Sequence, residues 1–494
     1  MTATTRTEAP TDADLTPATR LAAFAVATRA GGAPDDVAAS VRNRILDILG
    51  IAVAATTLET SRGVRRLAAL QGGRPEATAI GVPDLLPATQ AAFVNGVLAH
   101  SLDYDDTHLP SVLHPSASVV PAALAAAERR GSSGRDLVNA IAVGLEVTVR
   151  LGMAGYDTAK SRSVFFEHGQ HATSICGALG SAVAAALLLG GDERQVRDAL
   201  GIAASQGSGL LEANRTGGTV KRMHCGWAAQ AGVTAALLSV EAGWTGPPTV
   251  LEGRFGFFQA WLHDDADLDA LVSGLGQEWS VPGIFFKPYP ANHFTHAAVD
   301  AAAALRRRGL RPDDVADAVL AVPHANVRTI GEPLEVKQRP ETGYMAQFSG
   351  PYAVVAGLLG GSGLEVGLDD YTDELATDLK RRALMARVQV VGSAECDAVY
   401  PRQLPAILTV TDHAGTVWVE RVMTTRGGPE RPLSAEELAA KVSDNVSGLL
   451  TPSAAGDLVA AVEALSDRPH VSGLLGATAE VDPLPGTTRE GARR

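Results

Sequence analysis

Between His100 and His114 the chain concentrates three imidazoles and three carboxylates. They lie in the run His100-Ser101-Leu102-Asp103-Tyr104-Asp105-Asp106-Thr107-His108 and the His114-Pro115-Ser116 that follows. The surroundings are rich in Ala, Val and Leu, and a structural helix has no need of so many titratable groups. Proton transfer does need them, because an imidazole beside a carboxylate works as acid or base near neutral pH. His114-Pro115 precedes an expected helix over Val119–Arg129. A helix N-terminus there favours an anion through its free N–H groups and partial positive charge. The competing reading makes Asp105, Asp106 and Thr107 caps and leaves His108 solvated.

Four further stretches carry groups of the same kind. In Glu167-His168-Gly169-Gln170-His171, His171 stands at the start of an apolar helix. The dipole there disfavours an imidazolium, and a neutral imidazole serves as base or hydrogen-bond donor; plain capping is the alternative. Thr216-Gly217-Gly218-Thr219-Val220-Lys221-Arg222-Met223-His224 offers glycines that let backbone approach a ligand, and two cations for a carboxylate. It lacks the P-loop pattern, and a basic surface turn would read the same way. Phe286-Lys287-Pro288-Tyr289-Pro290-Ala291-Asn292-His293-Phe294-Thr295-His296 sits at an expected domain junction, where pockets form. His293 and His296 can share a helix face, but two histidines without further ligands make a weak metal pair. Phe348-Ser349-Gly350-Pro351-Tyr352 opens another helix, with Tyr352 either a phenol donor or a packing residue.

Two textures must position these groups. From about Pro17 to Leu275 the apolar residues recur at helical spacing, as in Asp36–Ala55, Leu137–Leu151, Thr173–Leu189, Gln195–Gln206 and Ala228–Gly243. Their Gly and Ala content lets helices approach closely. Past Pro282, strands are expected over Val315–Val322, Ala386–Val391, Ala406–Thr411 and Val417–Val422, with helices over Thr295–Arg308 and Tyr352–Leu359. Asp412-His413-Ala414-Gly415 reads as a hairpin turn. Ser434 and Glu437 read as a capping box that returns the chain to helix, followed by Ala454–Ala464. The expected fold is therefore mainly α: a large all-helical domain built from both chain ends, 17–282 and 426–480, plus a smaller α+β unit, 283–425. Residues 1–16 and 481–494 are expected to be disordered tails.

Composition narrows the function classes. A net charge of -13 argues against a general nucleic-acid or anionic-membrane binder, while leaving room for a locally cationic pocket. No apolar run reaches the roughly 18–20 residues of a membrane span, and the polar N-terminus lacks a signal-peptide core. The three cysteines, Cys176, Cys225 and Cys396, form no CxxC pair, so a cytoplasmic location is expected.

Taken together, the stretches HSLDYDDTH…HPSASVVPAALAAAE, GQHATSICGALGSA, GGTVKRMHCGWAAQAG, KPYPANHFTHAAVDA and FSGPYAVVAGLL resemble the MmgE/PrpD family. The resemblance runs in order from about residue 20 to 470. It implies an all-helical domain with a smaller α+β lid, a site between them, a homodimer, and no metal or organic cofactor. Family site residues fall on Asp103, Thr107, His114, His171, Lys221, Lys287 and Tyr352. Where the family's cis-aconitate decarboxylases carry a histidine two residues after the YPA proline, this chain has Asn292, with His293 beside it.

The implied chemistry is proton movement at a carbon next to a carboxylate, on a small di- or tricarboxylic acid. Abstraction of that proton leaves enolate-like charge that cations and donors must stabilise. His114 and His171 are expected as the acid/base pair, oriented by Asp103, with Tyr352 as an alternate proton donor. Thr107, Lys221, Lys287 and His293 are expected to bind substrate. Hydration/dehydration of the 2-methylcitrate dehydratase type is the first expectation. Decarboxylation of cis-aconitate and epimerisation of iminodisuccinate are the alternatives. Two other classes compete: a metal-dependent hydrolase using Asp103, Asp105, His108 and His114, and a non-catalytic helical scaffold.

Overall fold

Apolar spacing and capping chemistry set the helices of the computed structural model, which describes residues 15–160, 162–213, 218–263 and 265–481. Nearly all of both expected tails lies outside the described residues, as do Thr216 and Gly217 of the basic stretch. The protein is mainly α with a small α+β portion. Long helices run over Asp35–Ala55, Ala88–His100, Ser116–Arg130, Gly134–Ala154, Ala172–Leu188 and Val220–Val240. The helix Gly134–Ala154 is long and apolar enough to cross a membrane, yet it is buried inside the fold as a core helix.

Buried apolar side chains separate into two cores. The larger is shared by these helices and by Leu438, Val442, Leu458 and Val462 from the end of the chain. The capping box forms as expected: the Ser434 side chain accepts from the Glu437 N–H, and Glu437 accepts from the Ser434 N–H. The helix it opens, Ala435–Val446, packs on Asp35–Ala55. There the buried Lys441 ammonium lies 2.6 Å from the Asp47 carboxylate, an ion pair that joins the two ends of the chain.

The smaller core, from Tyr289 to Val410, belongs to a four-stranded sheet and its helices. Strand order is Val388–Gly392, Val315–Val322, Ala406–Asp412, Val417–Val422, the first pair parallel and the others antiparallel. The Asp412 carboxylate accepts from the N–H groups of Ala414 and Thr416 and so closes the expected hairpin turn. Leu109, Phe285 and Leu404 form a third, small cluster where the helical part meets the α+β part.

One helix departs from the sequence expectation. It begins at Val220, eight residues before the expected Ala228, so Lys221 and Arg222 lie on its first turn and not in a surface turn. Its opening turns face the other way from an ordinary amphipathic helix. His224 and Cys225 are buried, while Val220, Met223 and Trp227 are exposed. Apolar periodicity fails as a signal where the inner face carries polar groups.

Candidate active site

Close helix packing brings the polar groups together. Helix Ala88–His100 crosses Val220–Val240 at two glycines. A Cβ on Gly96 would lie 2.7 Å from the Gly226 Cα, and a Cβ on Gly226 would lie 2.5 Å from the Phe93 carbonyl. The crossing sets His100, at the end of the first helix, near Cys225 on the second. The loop after His100 is then fixed from several sides. Arg44, buried in Asp35–Ala55, pairs with Asp106 at 2.7 Å and donates to the carbonyls of Val281 and Ile284. Asp106 also accepts from the Ser116 N–H and hydroxyl, so it caps the next helix. Thr107 exchanges two backbone hydrogen bonds with Phe285, both 2.8 Å, which ties the loop to the segment entering the α+β unit.

That loop presents Asp103 in a left-handed conformation, φ 53°, which Asp tolerates better than most residues. Lys287 donates to both the Asp103 carbonyl (2.7 Å) and its carboxylate (3.0 Å), and Lys221 stands 3.7 Å from the same carboxylate oxygen. Burial alone would raise the Asp103 carboxyl; Lys221, Lys287, His114 and His100 outweigh it and hold it well below the usual range. The same opposition, won by Asp103, keeps Lys221 charged. Two ammonium groups from different parts of the chain thus converge on one carboxylate.

Imidazoles form a row beside this charge cluster. Ring centroids are 5.5 Å apart for His114–His100, 5.5 Å for His100–His171 and 5.0 Å for His171–His224. His114 Nδ1 lies 2.6 Å from the Asp106 carbonyl, which only accepts, so the neutral ring is protonated there and keeps its lone pair on Nε2. The Thr107 hydroxyl is 3.3 Å from the same Nδ1. Burial pushes His114 down to about 4, so the ring is neutral at pH 7 and available as a base. His100 donates to Asp105 at 2.8 Å. Burial would raise Asp105, but His100, His114 and Lys287 hold it at about 2. His171 is the N-cap residue of Ala172–Leu188, as expected; burial foremost, then its neighbours His100 and Lys221, holds its imidazole well below the ordinary range. His293 lies against His296, ring centroids 4.6 Å apart, and neither ring nitrogen of His293 has a hydrogen-bond partner among the described residues. Burial foremost holds His293 well below the ordinary imidazole range.

Of the residues expected from sequence, Asp103, Thr107, His114, His171, Lys221, Lys287 and His293 surround one region. Tyr352 is placed elsewhere. It is buried in the α+β core, its hydroxyl donating to the Asp370 carbonyl at 2.5 Å and accepting from Arg381. That packing role was the alternative for Tyr352. A phenol that does feel this charge cluster is Tyr344, acted on by Lys221 and Asp103, with its ring under the Arg222 guanidinium. Nothing in the sequence around Tyr344 marked it. His100 and His224 were visible in the quoted stretches but not singled out, and Asp105 was named only as a cap or a metal ligand. His108 turns to Ser111 at 2.6 Å, and the exposed His168 faces His263. Asn292 serves as a cap, accepting from the Phe294 N–H.

Among the described residues the ligand set of the competing hydrolase reading is not gathered: His108 hydrogen-bonds Ser111, and Asp103 is held by lysines. Among the described residues, His100, Asp105 and Cys225 offer ligand atoms within 4.8 Å of one another. The donor set is of mixed type, and its His–Asp contact is an ordinary hydrogen bond at 2.8 Å.

Residues 19–269 match the MmgE/PrpD N-terminal domain and residues 289–467 the MmgE/PrpD C-terminal domain. The chain is 32% identical to a cis-aconitate decarboxylase of Mus musculus over 449 residues, covering 88% of this chain and 87% of the relative. It is 31% identical to the Homo sapiens cis-aconitate decarboxylase, with 89% of each chain covered. A cis-aconitate decarboxylase of Aspergillus terreus is 31% identical over 288 residues, 56% of this chain and 57% of the relative. The protein belongs to the MmgE/PrpD family.

Proposed function

We propose that this protein is a lyase that moves a proton at a carbon next to a carboxylate of a small polycarboxylic acid. The observation that carries the reading is the convergence of Lys221 and Lys287 on Asp103, beside the neutral rings of His114 and His171. Lysines that already face a carboxylate in a buried setting suit the carboxylates of a substrate, and their charge offsets the enolate-like intermediate. His114 Nε2 takes or returns the carbon proton. His171 serves as a hydrogen-bond donor to the developing charge. The relatives support decarboxylation of a cis-aconitate-like tricarboxylate as the first reaction. In that step the bond to the departing CO2 breaks, its electron pair passes into the substrate framework, and carbon gains one proton. Each turnover consumes a proton.

Dehydration of a hydroxylated acid such as 2-methylcitrate is the second reading. Asn292 favours it: the side chain is committed to a cap and offers no titratable group at that place. Incubation of the protein with cis-aconitate, 2-methylcitrate, citrate and iminodisuccinate, followed by NMR, separates the readings through loss of CO2, loss of water or inversion. Turnover of none of them would sink the lyase assignment. We also propose that the protein is a cytoplasmic homodimer; sedimentation of the purified chain checks the dimer.

A further inference from the structure

His171 and His224 meet nitrogen to nitrogen, Nδ1 to Nδ1, at 2.9 Å. A hydrogen bond at that distance holds one proton between the two atoms. Each ring then has a defined tautomer: the donor is protonated on Nδ1, and the acceptor carries its proton on Nε2. The arrangement is built in. The Ser174 hydroxyl donates to the His224 carbonyl at 2.9 Å, joining helix Ala172–Leu188 to Val220–Val240 beneath the pair. Gly209, at φ 151°, accepts from the His171 N–H, and a Cβ there would come within 3.1 Å of the His171 Cβ and 3.5 Å of His224 Nδ1. Backbone therefore closes over the two rings. Both are buried, and both stay neutral at pH 7, chiefly because of burial.

We propose that His224 is a positioning residue: it donates its Nδ1–H to His171 and so fixes His171 as the Nε2–H tautomer, a neutral donor to charge developing on the substrate. This rests on the lyase reading for its purpose, though not for its geometry. A neutral imidazole with its proton aimed at an oxyanion stabilises that charge without first having to be ionised. In the opposite arrangement His171 would present a lone pair to an enolate-like oxygen, and the contact would be repulsive.

The first arm of the test uses the full chain labelled with 15N at histidine, without substrate, so that arm does not depend on which acid is turned over. The wild-type spectrum is expected to show His171 protonated on Nε2 and His224 on Nδ1. His224→Leu removes the donor and is expected to lower kcat about 100-fold, the cost of one preorganised oxyanion donor, with little change in KM. His224→Asn keeps an N–H close to the Nδ1 position and is expected to restore most of kcat and the Nε2–H form of His171. A wild-type His171 protonated on Nδ1 overturns the proposal, and so does an Asn variant as slow as the Leu variant. If the Leu variant does not fold, the wild-type spectrum and the Asn variant decide. Failure of the lyase reading shows instead as an unreactive substrate panel with the tautomer assignment intact.

Discussion

Asp103 depends on its lysines as much as they depend on it. Lys287→Met leaves the buried carboxylate with the more distant Lys221, at 3.7 Å, as its remaining lysine among the described residues. Removing one partner of a buried pair costs about 3–5 kcal/mol, because the other charge stays behind without compensation. Urea unfolding should show that loss, and Asp103→Asn combined with Lys287→Met should recover much of it. Without recovery, the pair is not what holds the loop. Tyr352→Phe tests the opposite kind of residue. It deletes the hydrogen bond to the Asp370 carbonyl, so stability should fall by about 1 kcal/mol while kcat stays close to wild type. A collapse of kcat with unchanged KM would restore Tyr352 as a proton donor. Sequence spacing exposed Asp103, Thr107 and His114 because dense titratable runs are rare in an Ala- and Val-rich chain. It did not expose Tyr344 or single out His224, whose significance comes from partners far along the chain.

At the scale of elements, long amphipathic helices and alternating strands were legible: Val315–Val322 carries the expected bounds, and the capping box at Ser434 forms. The start of Val220–Val240 was not legible, since its polar inner face removes the apolar period. The same helix shows what glycine does for the site. Gly96→Ala forces a Cβ against the Gly226 backbone, and overpacking of this kind costs about 1–3 kcal/mol. A widened crossing also draws His100 away from Cys225. The expected result is a lower melting temperature together with reduced turnover. Unchanged melting would show that the crossing has slack that its close contacts do not suggest.

The whole molecule has a pH signature that follows from its buried histidines. Burial pushes His108, His114 and His224 down to about 4 and His296 to about 3, and it holds His171 and His293 well below their ordinary range. In the unfolded chain the same rings take up protons near pH 6.5. Between roughly pH 6.5 and 4 the unfolded state binds more protons, so stability falls as pH drops through that window; above it both states are neutral and the rings add no slope. Unfolding midpoints in urea should therefore be lower at pH 5 than at pH 7.5. Equal midpoints would mean that these rings are not buried neutral. A change of texture near Pro282 was legible in the sequence, and the buried apolar side chains on its two sides fall mostly into separate clusters, whereas the meeting of Lys287 with the Asp103 loop arises only in the folded chain. Proton movement at a carbon beside a carboxylate is the reaction proposed for these residues, and deuterium uptake from D2O tests it most directly. With cis-aconitate and the other acids of the panel, wild-type protein should place deuterium on such a carbon, and His114→Gln should slow this by about 100-fold or more. No deuterium on any of these acids, or equal uptake by the His114 variant, would contradict the account.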